Sequence, residues 1–191
     1  MTFDAGARKD VYSRIVQQQE EYTQYLDELV HGKLEKNSEI SEKQVDDDYS
    51  NYGMAKSIFD GCSDEKETLQ NNIKKLEEEK QQKIKAVTED AKKAGKSDEE
   101  IANLCYNIEN EYAGRIKNMR FNLSRVGANA LIKEQTMDEA ETNYRGSIFG
   151  NIKATGDYLS GLLTLGNAYH DLGKMKQNQA YLGLKKNSIW T

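Results

Sequence analysis

The amino-acid sequence predicts an all-α fold, an elongated helical bundle with a central antiparallel coiled-coil hairpin. First, none of the 191 residues is proline, the residue that breaks helix interiors. Second, only 37% of the residues are hydrophobic, which is enough for the narrow apolar stripes of long helices but little for a globular core. Third, apolar residues recur at steps of three and four between Leu69 and Val126, the period of an α-helix.

Residues 1–62 are predicted to form two N-terminal helices. The first runs from about Asp4 to His31 and ends at Gly32, and its apolar face is formed by Val11, Ile15, Tyr22, Leu26 and Leu29. A polar connector, KLEKNSEISEKQ, follows it. The apolar side of the second helix consists of Val45, Tyr49, Tyr52, Ala55 and Phe59. Gly61 is expected to cap this helix, and Ser63 to start the next one.

Residues 63–144 are predicted to form the antiparallel coiled-coil hairpin, with its turn near residues 95–97. Lys92 and Lys93 suit a helix C-terminus, and Gly95 suits the left-handed cap that follows it. Ser97 and Glu100 have the spacing of a capping box, which marks the start of the second arm. Both helix ends at the turn are therefore indicated by local sequence.

The two arms also agree in register. Facing positions in an antiparallel hairpin have a constant sum of residue numbers, and that sum is 192 for Leu76 with Ile116 and for Ile84 with Ile108. Lys80 and Tyr112 also add up to 192, and they interrupt the apolar pattern at the same level of both arms. Two interpretations of this polar layer are open. Either it fixes the register in which the arms pair, or Lys80 extends past the Tyr112 ring toward solvent and has little effect.

Residues 145–191 form a glycine-rich C-terminal helical segment in which charged residues are scarce. Small residues recur there at steps of four along two lines, and we regard these lines as a candidate interaction surface: Gly146, Gly150 and Ala154, then Gly156, Ser160, Thr164 and Ala168. Small residues at this spacing let helix backbones approach closely. Three partners are open: the first helix of the same chain, another chain, and a membrane touched transiently.

Charge and residue types exclude several classes of function. The net charge of −5, with acids and bases interspersed, argues against sequence-specific nucleic-acid binding through a basic face. The N-terminal residues lack the apolar core of a signal peptide, and Cys62 and Cys105 are expected to be reduced thiols. The two histidines, His31 and His170, have no metal-ligand spacing. We therefore expect no catalytic, cofactor or metal site, and no enzyme activity.

Part of the C-terminal segment resembles the first helix of a tetratricopeptide repeat. The stretch LTLGNAYHDLGK, with Leu162 before it, matches the leucine, Leu-Gly, tyrosine and glycine positions of that repeat. Asn178 and Lys185 stand where its second helix would have alanine, and no copy occurs 34 residues earlier. This resemblance implies a helical hairpin and a cytoplasmic adaptor that binds a partner protein.

The layout of most of the chain resembles the small internal virion proteins, or ejection proteins, of short-tailed bacteriophages. It combines long Gln/Glu/Lys-rich helices, the arm EYAGRIKNMRFNLSRVGANAL and a Gly/Ser/Leu-rich C-terminal part. The resemblance implies a protein that is packaged in the virion, is present in the host cytoplasm during assembly, and multimerises into a conduit at the cell envelope.

From the sequence we therefore expect a structural assembly protein that acts through helix packing with itself or with other structural proteins. The resemblance adds that it is a bacteriophage virion component involved in DNA ejection or in tail or portal assembly. The alternative is the adaptor module of the tetratricopeptide type.

Overall fold

The computed structural model of the protein describes the backbone of residues 5–188 and the side chains of residues 8–181. Residues 1–4 and 189–191, at the two ends of the predicted terminal segments, lie outside it. The described chain is helical throughout except for the turn at residues 94–97, which confirms the all-α fold class. Its elements are α1 (Ala5–Leu29), a π-helix (Val30–Leu34) that we call the π-turn, α2 (Glu35–Lys93) and α3 (Asp98–Ser188).

Contacts divide the chain into two compact units. The terminal unit joins Met1–Asp48 to Asn143–Thr191, and the hairpin unit is Tyr49–Thr142. Both α2 and α3 contribute to both units. The unit boundaries therefore fall inside helices and not in linkers.

The predicted helix ends at Gly32 and Gly61 are wrong. Gly32 lies within the π-turn, and Gly61 and Ser63 lie within α2. A glycine ends a helix when its backbone becomes left-handed, and Gly95, with a φ of 71°, is the only glycine with positive φ among the described residues. Elsewhere glycine stays in the helix despite its low propensity, because the residues on both sides of it continue the helix.

The predicted polar connector is also helical, because its small hydroxyl residues face α3. The Ser38 Oγ lies 3.2 Å from the Thr155 Oγ1, and Asn151 donates its Nδ2 hydrogen to the Ser41 Oγ at 3.3 Å. A contact made by serine, threonine and asparagine leaves no hydrophobic periodicity in the sequence. The helix therefore continues where the sequence indicated a loop.

The turn between α2 and α3 is closed by two local motifs. The Lys96 N–H donates to the Ala91 carbonyl and the Gly95 N–H to the Lys92 carbonyl, both at 3.1 Å, which is the Schellman pattern. On the other side the Ser97 N–H donates to Glu100 Oε2 at 2.9 Å, and the Glu100 N–H donates to the Ser97 Oγ at 3.3 Å. This is the reciprocal capping box.

The hairpin unit contains one apolar cluster between its arms. Leu76 and Ile116 are buried in it together with Ile73, Ile108 and Tyr112. Ile84, Val87, Met119 and Leu123 are partly buried and pack against the cluster. Ion pairs flank it, from Lys83 to Glu111 at 3.2 Å and from Arg120 to Glu77 at 2.7 Å.

The terminal unit has its own core, in which α1 uses a different face from the predicted one. Val11, Ile15 and Tyr22 are exposed, whereas Leu26 is buried as expected. The other buried residues of this face stand one position after predicted ones: Val16, Thr23 and Val30. Thr23 donates its hydroxyl to the Gln19 carbonyl at 2.7 Å, and this bond satisfies the buried hydroxyl. Because this buried residue is polar, a search for hydrophobic residues at helical spacing does not detect the face.

Candidate functional site at the π-turn and on α3

The π-turn inserts one residue into the first long helix. The Glu35 N–H donates to the Val30 carbonyl, a bond from residue i+5 to residue i. Up to the first residue of the π-turn, the positions packed toward α3 include Leu26 and Val30, and from its last residue onward they include Leu34, Ser38 and Ser41. Strict alternation of steps of three and four through Thr23, Leu26 and Val30 would lead to residues 33, 37 and 40, but Ile40 is exposed.

Gly161 of α3 lies against this turn. A Cβ atom at Gly161 would stand 2.8 Å from Leu34 Cδ1 and 3.0 Å from Val30 Cγ2, so both side chains would have to shift to admit it. The Val30 side chain is completely buried there. Of the glycines whose surroundings the structure describes, Gly161 alone has a neighbouring side chain within 4 Å. Close helix approach in this segment therefore occurs at a glycine outside both predicted lines.

Polar side chains surround the π-turn and pair with one another. Tyr158 donates its hydroxyl to Glu35 Oε1 at 3.1 Å, and Tyr169 donates its hydroxyl to Asp27 Oδ1 at 3.2 Å. His31 lies between these carboxylates, with its Nδ1 3.2 Å from Glu35 Oε2 and its Nε2 3.9 Å from Asp27 Oδ1.

Desolvation raises the pKa of both tyrosines, Tyr158 and Tyr169, above the ordinary value of 10.0, and the neighbouring carboxylate raises it further. Near neutral pH the two phenols are hydrogen-bond donors and not proton acceptors. The cluster can therefore orient α1 against α3, whereas proton transfer by the phenols would need strongly alkaline conditions.

The structure separates the small residues that the sequence placed on two lines. Ala168 is buried in the terminal core and Ala154 is half-buried, whereas the other five are exposed: Gly146, Gly150, Gly156, Ser160 and Thr164. No side chain lies within 4 Å of the Cβ position of Gly146, Gly150 or Gly156. Contact with α1 therefore does not account for these glycines, although another face of the same segment packs on α1 through Tyr158, Leu162 and Leu165.

An exposed apolar stripe runs along α3, and we call it the α3 stripe. Four large side chains on it are exposed, Phe149 by 74%, Ile152 by 63%, Leu159 by 54% and Leu163 by 73%. Gly156 and Gly166 continue the same spacing and are also exposed. Each stripe residue follows a buried or half-buried residue of α3 by one position, so the stripe is turned from the packed face of α3 by about 100°.

The remaining candidate residues form no reactive group. Lys80 is half-buried, and the cations that lie over the Tyr112 ring are Lys83 at 5.5 Å and Arg115 at 5.2 Å. Cys62 and Cys105 are half-buried free thiols, and the Cys105 Sγ lies 3.4 Å from the Thr88 hydroxyl. Among the described side chains, no three of the histidines, cysteines, aspartates and glutamates are grouped to hold a metal ion.

The expected tetratricopeptide hairpin is not formed. The α3 helix runs without interruption from Asp98 to Ser188, so Gly173 stands inside a helix where the repeat would need a turn. Of the matching positions, Leu162 and Leu165 pack in the core of the terminal unit with Leu26 and Val30. No helix in the described part of the chain has the length and apolar character needed to cross a bilayer. Comparison with protein-family models, curated proteins and solved structures finds no match to this chain.

Proposed function

We propose that this chain is a non-enzymatic structural protein that assembles with copies of itself by helix packing. The observation that carries the proposal is the α3 stripe. Its large side chains are more than half exposed, although the region is poor in charge: no Asp, Glu, Lys or Arg occurs between Tyr158 and His170. A contiguous exposed apolar surface on an otherwise polar protein is typical of an interaction site.

The stripe has the spacing of a packing face. A surface helix with one buried face normally carries polar residues on the other faces, and α3 instead has a second apolar line at steps of three and four. Helices that pack on two sides show this double pattern, because each line meets a different neighbour. The α1 helix is one neighbour, so a further helix is needed for the second line.

The polar cluster at the π-turn favours a structural role over an enzymatic one. Its carboxylates, Asp27 and Glu35, already accept hydrogen bonds from Tyr169 and Tyr158. These bonds join α1 and α2 to α3, so the two carboxylates take part in holding the helices together.

At finer detail we propose a bacteriophage virion component, acting in DNA ejection or in tail or portal assembly. This step rests on the resemblance of the layout to small internal virion proteins, and the self-association of the chain is consistent with it. By the same resemblance the protein is present in the host cytoplasm during assembly, and it meets a membrane only when it forms the conduit.

Measurement of the mass of the purified protein tests the proposal. Analytical ultracentrifugation over a range of protein concentrations should show a multimer whose mass rises with concentration. A monomer at every concentration would contradict self-assembly. The same measurement with liposomes tests the finer proposal, because a conduit-forming protein should sediment with the vesicles.

A further inference from the structure

We infer that the α3 stripe pairs with the α3 stripe of a second copy of this chain, antiparallel and about a two-fold axis between residues 157 and 158. This inference rests on the proposed self-assembly and adds the surface, the orientation and the register. It comes from the order of large and small residues on the stripe.

The stripe reads the same in both directions in its spacing. Its residues are separated by steps of three, four, three, four and three: Phe149, Ile152, Gly156, Leu159, Leu163 and Gly166. In an antiparallel pair, residues whose numbers add up to 315 then face each other at every level. Such a palindromic spacing is what an isologous two-fold contact requires, since the same patch must serve both partners.

Side-chain size is complementary in this register. Phe149 faces Gly166 of the second copy, Leu159 faces Gly156, and Ile152 faces Leu163. Each glycine thus receives a large side chain from the other copy, as ridges fill grooves in packed helices. In a parallel pair Phe149 would meet Phe149 and each glycine would meet a glycine. The two phenylalanine rings would then be crowded, and gaps would remain where the glycines meet.

The dimensions suit a dimer contact. From Phe149 to Gly166 the stripe is about 26 Å long at the helical rise. Its four large residues expose on the order of 500 Å², against the about 800 Å² that each partner buries in a standard interface. The next positions at the same spacing are Arg145 and His170, so the apolar stripe ends in the polar residues expected of an interface rim.

Self-complementarity also selects the partner. A lipid surface has no fixed positions to match, and a different protein would not require each glycine of this helix to lie level with a large residue of the same helix after a two-fold rotation. The charged residues between the ends of the stripe, Lys153 and Asp157, are not stripe positions, so the pairing buries neither of them.

Disulfide crosslinking tests the orientation. In a background with Cys62→Ser and Cys105→Ser, the variants Ile152→Cys and Leu163→Cys are unfolded, mixed, refolded and oxidised. The mixture should form a dimer joined between residues 152 and 163, whereas neither variant should crosslink alone, because two copies of residue 152 would lie about 16 Å apart along the axis. Crosslinking of each variant alone would show a parallel pair, and absence of all crosslinks would overturn the inference.

A second pair of variants separates this interface from self-assembly in general. Leu163→Lys should weaken dimerisation at least about tenfold, because it buries an unpaired charge in the contact. Leu131→Lys is the matched control, an exposed leucine of the same helix that lies outside the stripe, and it should leave the dissociation constant unchanged. Circular dichroism verifies that both variants remain helical.

The outcomes are distinguishable. If the parent protein is a multimer and Leu163→Lys has the same mass, the inferred interface is wrong and the proposed function stands. If the parent protein is a monomer at every concentration, both the inferred interface and the proposed self-assembly are wrong.

Discussion

Gly161 of α3 packs closely against Val30, since a Cβ at Gly161 would lie 3.0 Å from Val30 Cγ2, a separation at which Val30 would have to shift. Val30 is β-branched and completely buried, so its side chain has little freedom to move aside. This contact fixes the distance between α3 and the π-turn.

Gly161→Leu should therefore lower the free energy of unfolding, by about 1–3 kcal/mol or more, because the added side chain overpacks the contact with Val30 and Leu34. Gly150→Leu is the matched control, because no side chain lies within 4 Å of its Cβ position. It should raise the stability of the single chain by about 0.5–1 kcal/mol, since glycine is the poorer helix former. Denaturant unfolding measures both effects. Equal effects of the two substitutions would contradict the close contact.

Gly150→Leu also tests the predicted line of Gly146, Gly150 and Ala154 in assembly. If that line packs on another chain, the leucine should lower the assembled mass even though it stabilises the single chain. An unchanged mass would show that Gly150 does not contact another chain. The α3 stripe would then remain the inferred contact between copies.

Deletion of Gly32 should be tolerated, because the π-turn holds one residue more than a regular helix needs. Removing that residue returns the segment to regular α-helix and keeps Ser38 and Ser41 directed at α3. We expect stability within about 1 kcal/mol of the parent protein, as for a substitution away from packed residues.

Deletion of Gln24 is the control for Gly32. No extra residue is present there, so the preceding part of α1 turns by about 100° and Val16 leaves the core. Thermal melting followed by circular dichroism should show a clearly lower melting temperature for the deletion of Gln24 and not for the deletion of Gly32. If both deletions destabilise the protein equally, the π-turn is not a simple one-residue insertion.

Ile108→Ala should destabilise the hairpin unit by about 2–4 kcal/mol, because it leaves a cavity in the buried cluster with Leu76 and Ile116. The same substitution at Ile132, on the same helix and 60% exposed, should change stability by less than about 0.5 kcal/mol. Denaturant unfolding of both variants measures the difference, and a similar loss at the two positions would place Ile108 outside the core.

The register of the hairpin predicts an intramolecular crosslink. Cysteines introduced at Leu76 and Ile116, in the background without native cysteines, should form a disulfide within one chain, because the two residues share one buried cluster. Cysteines at Leu76 and Leu123 should not, since they differ by two helical turns in level. Crosslinking of the second pair in place of the first would show a different register.

The capping box predicts a dependence of stability on pH. Hydrogen bonds from the Ser97 backbone and side chain lower the pKa of Glu100 below its ordinary value of 4.5. Because the folded-state pKa is the lower one, the carboxylate stabilises the fold above about pH 4.5, and this contribution is lost as the pH falls through the folded pKa.

The difference in stability between the parent protein and Glu100→Gln should therefore shrink as the pH falls below about 4.5. Urea unfolding at several pH values measures it, with Glu99→Gln as a control in the same turn. A difference that is constant with pH would show that Glu100 acts by hydrogen-bond geometry alone.

Sequence reasoning works best in the hairpin unit, where the core is made of residues that a hydrophobic pattern detects. Its arms carry leucine and isoleucine that meet in one buried cluster, and its turn combines Gly95 with a capping box, so the cluster follows from the hydrophobic pattern and the turn from local sequence. The capping residues act through bonds to their own backbone and need no distant partner.

In the terminal unit the hydrophobic pattern does not predict the packed faces of the helices, and the reasons lie in particular residues. Thr23, Ser38 and Asn151 are polar, although they face the opposite helix, while Val11 and Ile15 are apolar and exposed. The π-turn also shifts the packed face by one residue, and a fixed helical period cannot represent such a shift. Gly161 resembles Gly150 in sequence, and only the position of Val30 on the opposite helix distinguishes them.

The separation of contacting residues along the chain has a consequence for biosynthesis. Tyr12 donates its hydroxyl to the Met175 carbonyl at a distance of 163 residues in sequence, whereas Ala91 and Ile101 flank a four-residue turn. A ribosome completes the hairpin unit well before it makes the part of α3 that α1 requires. The nascent α1 must therefore wait until Ala168 and Met175 have been synthesised before it meets its partner.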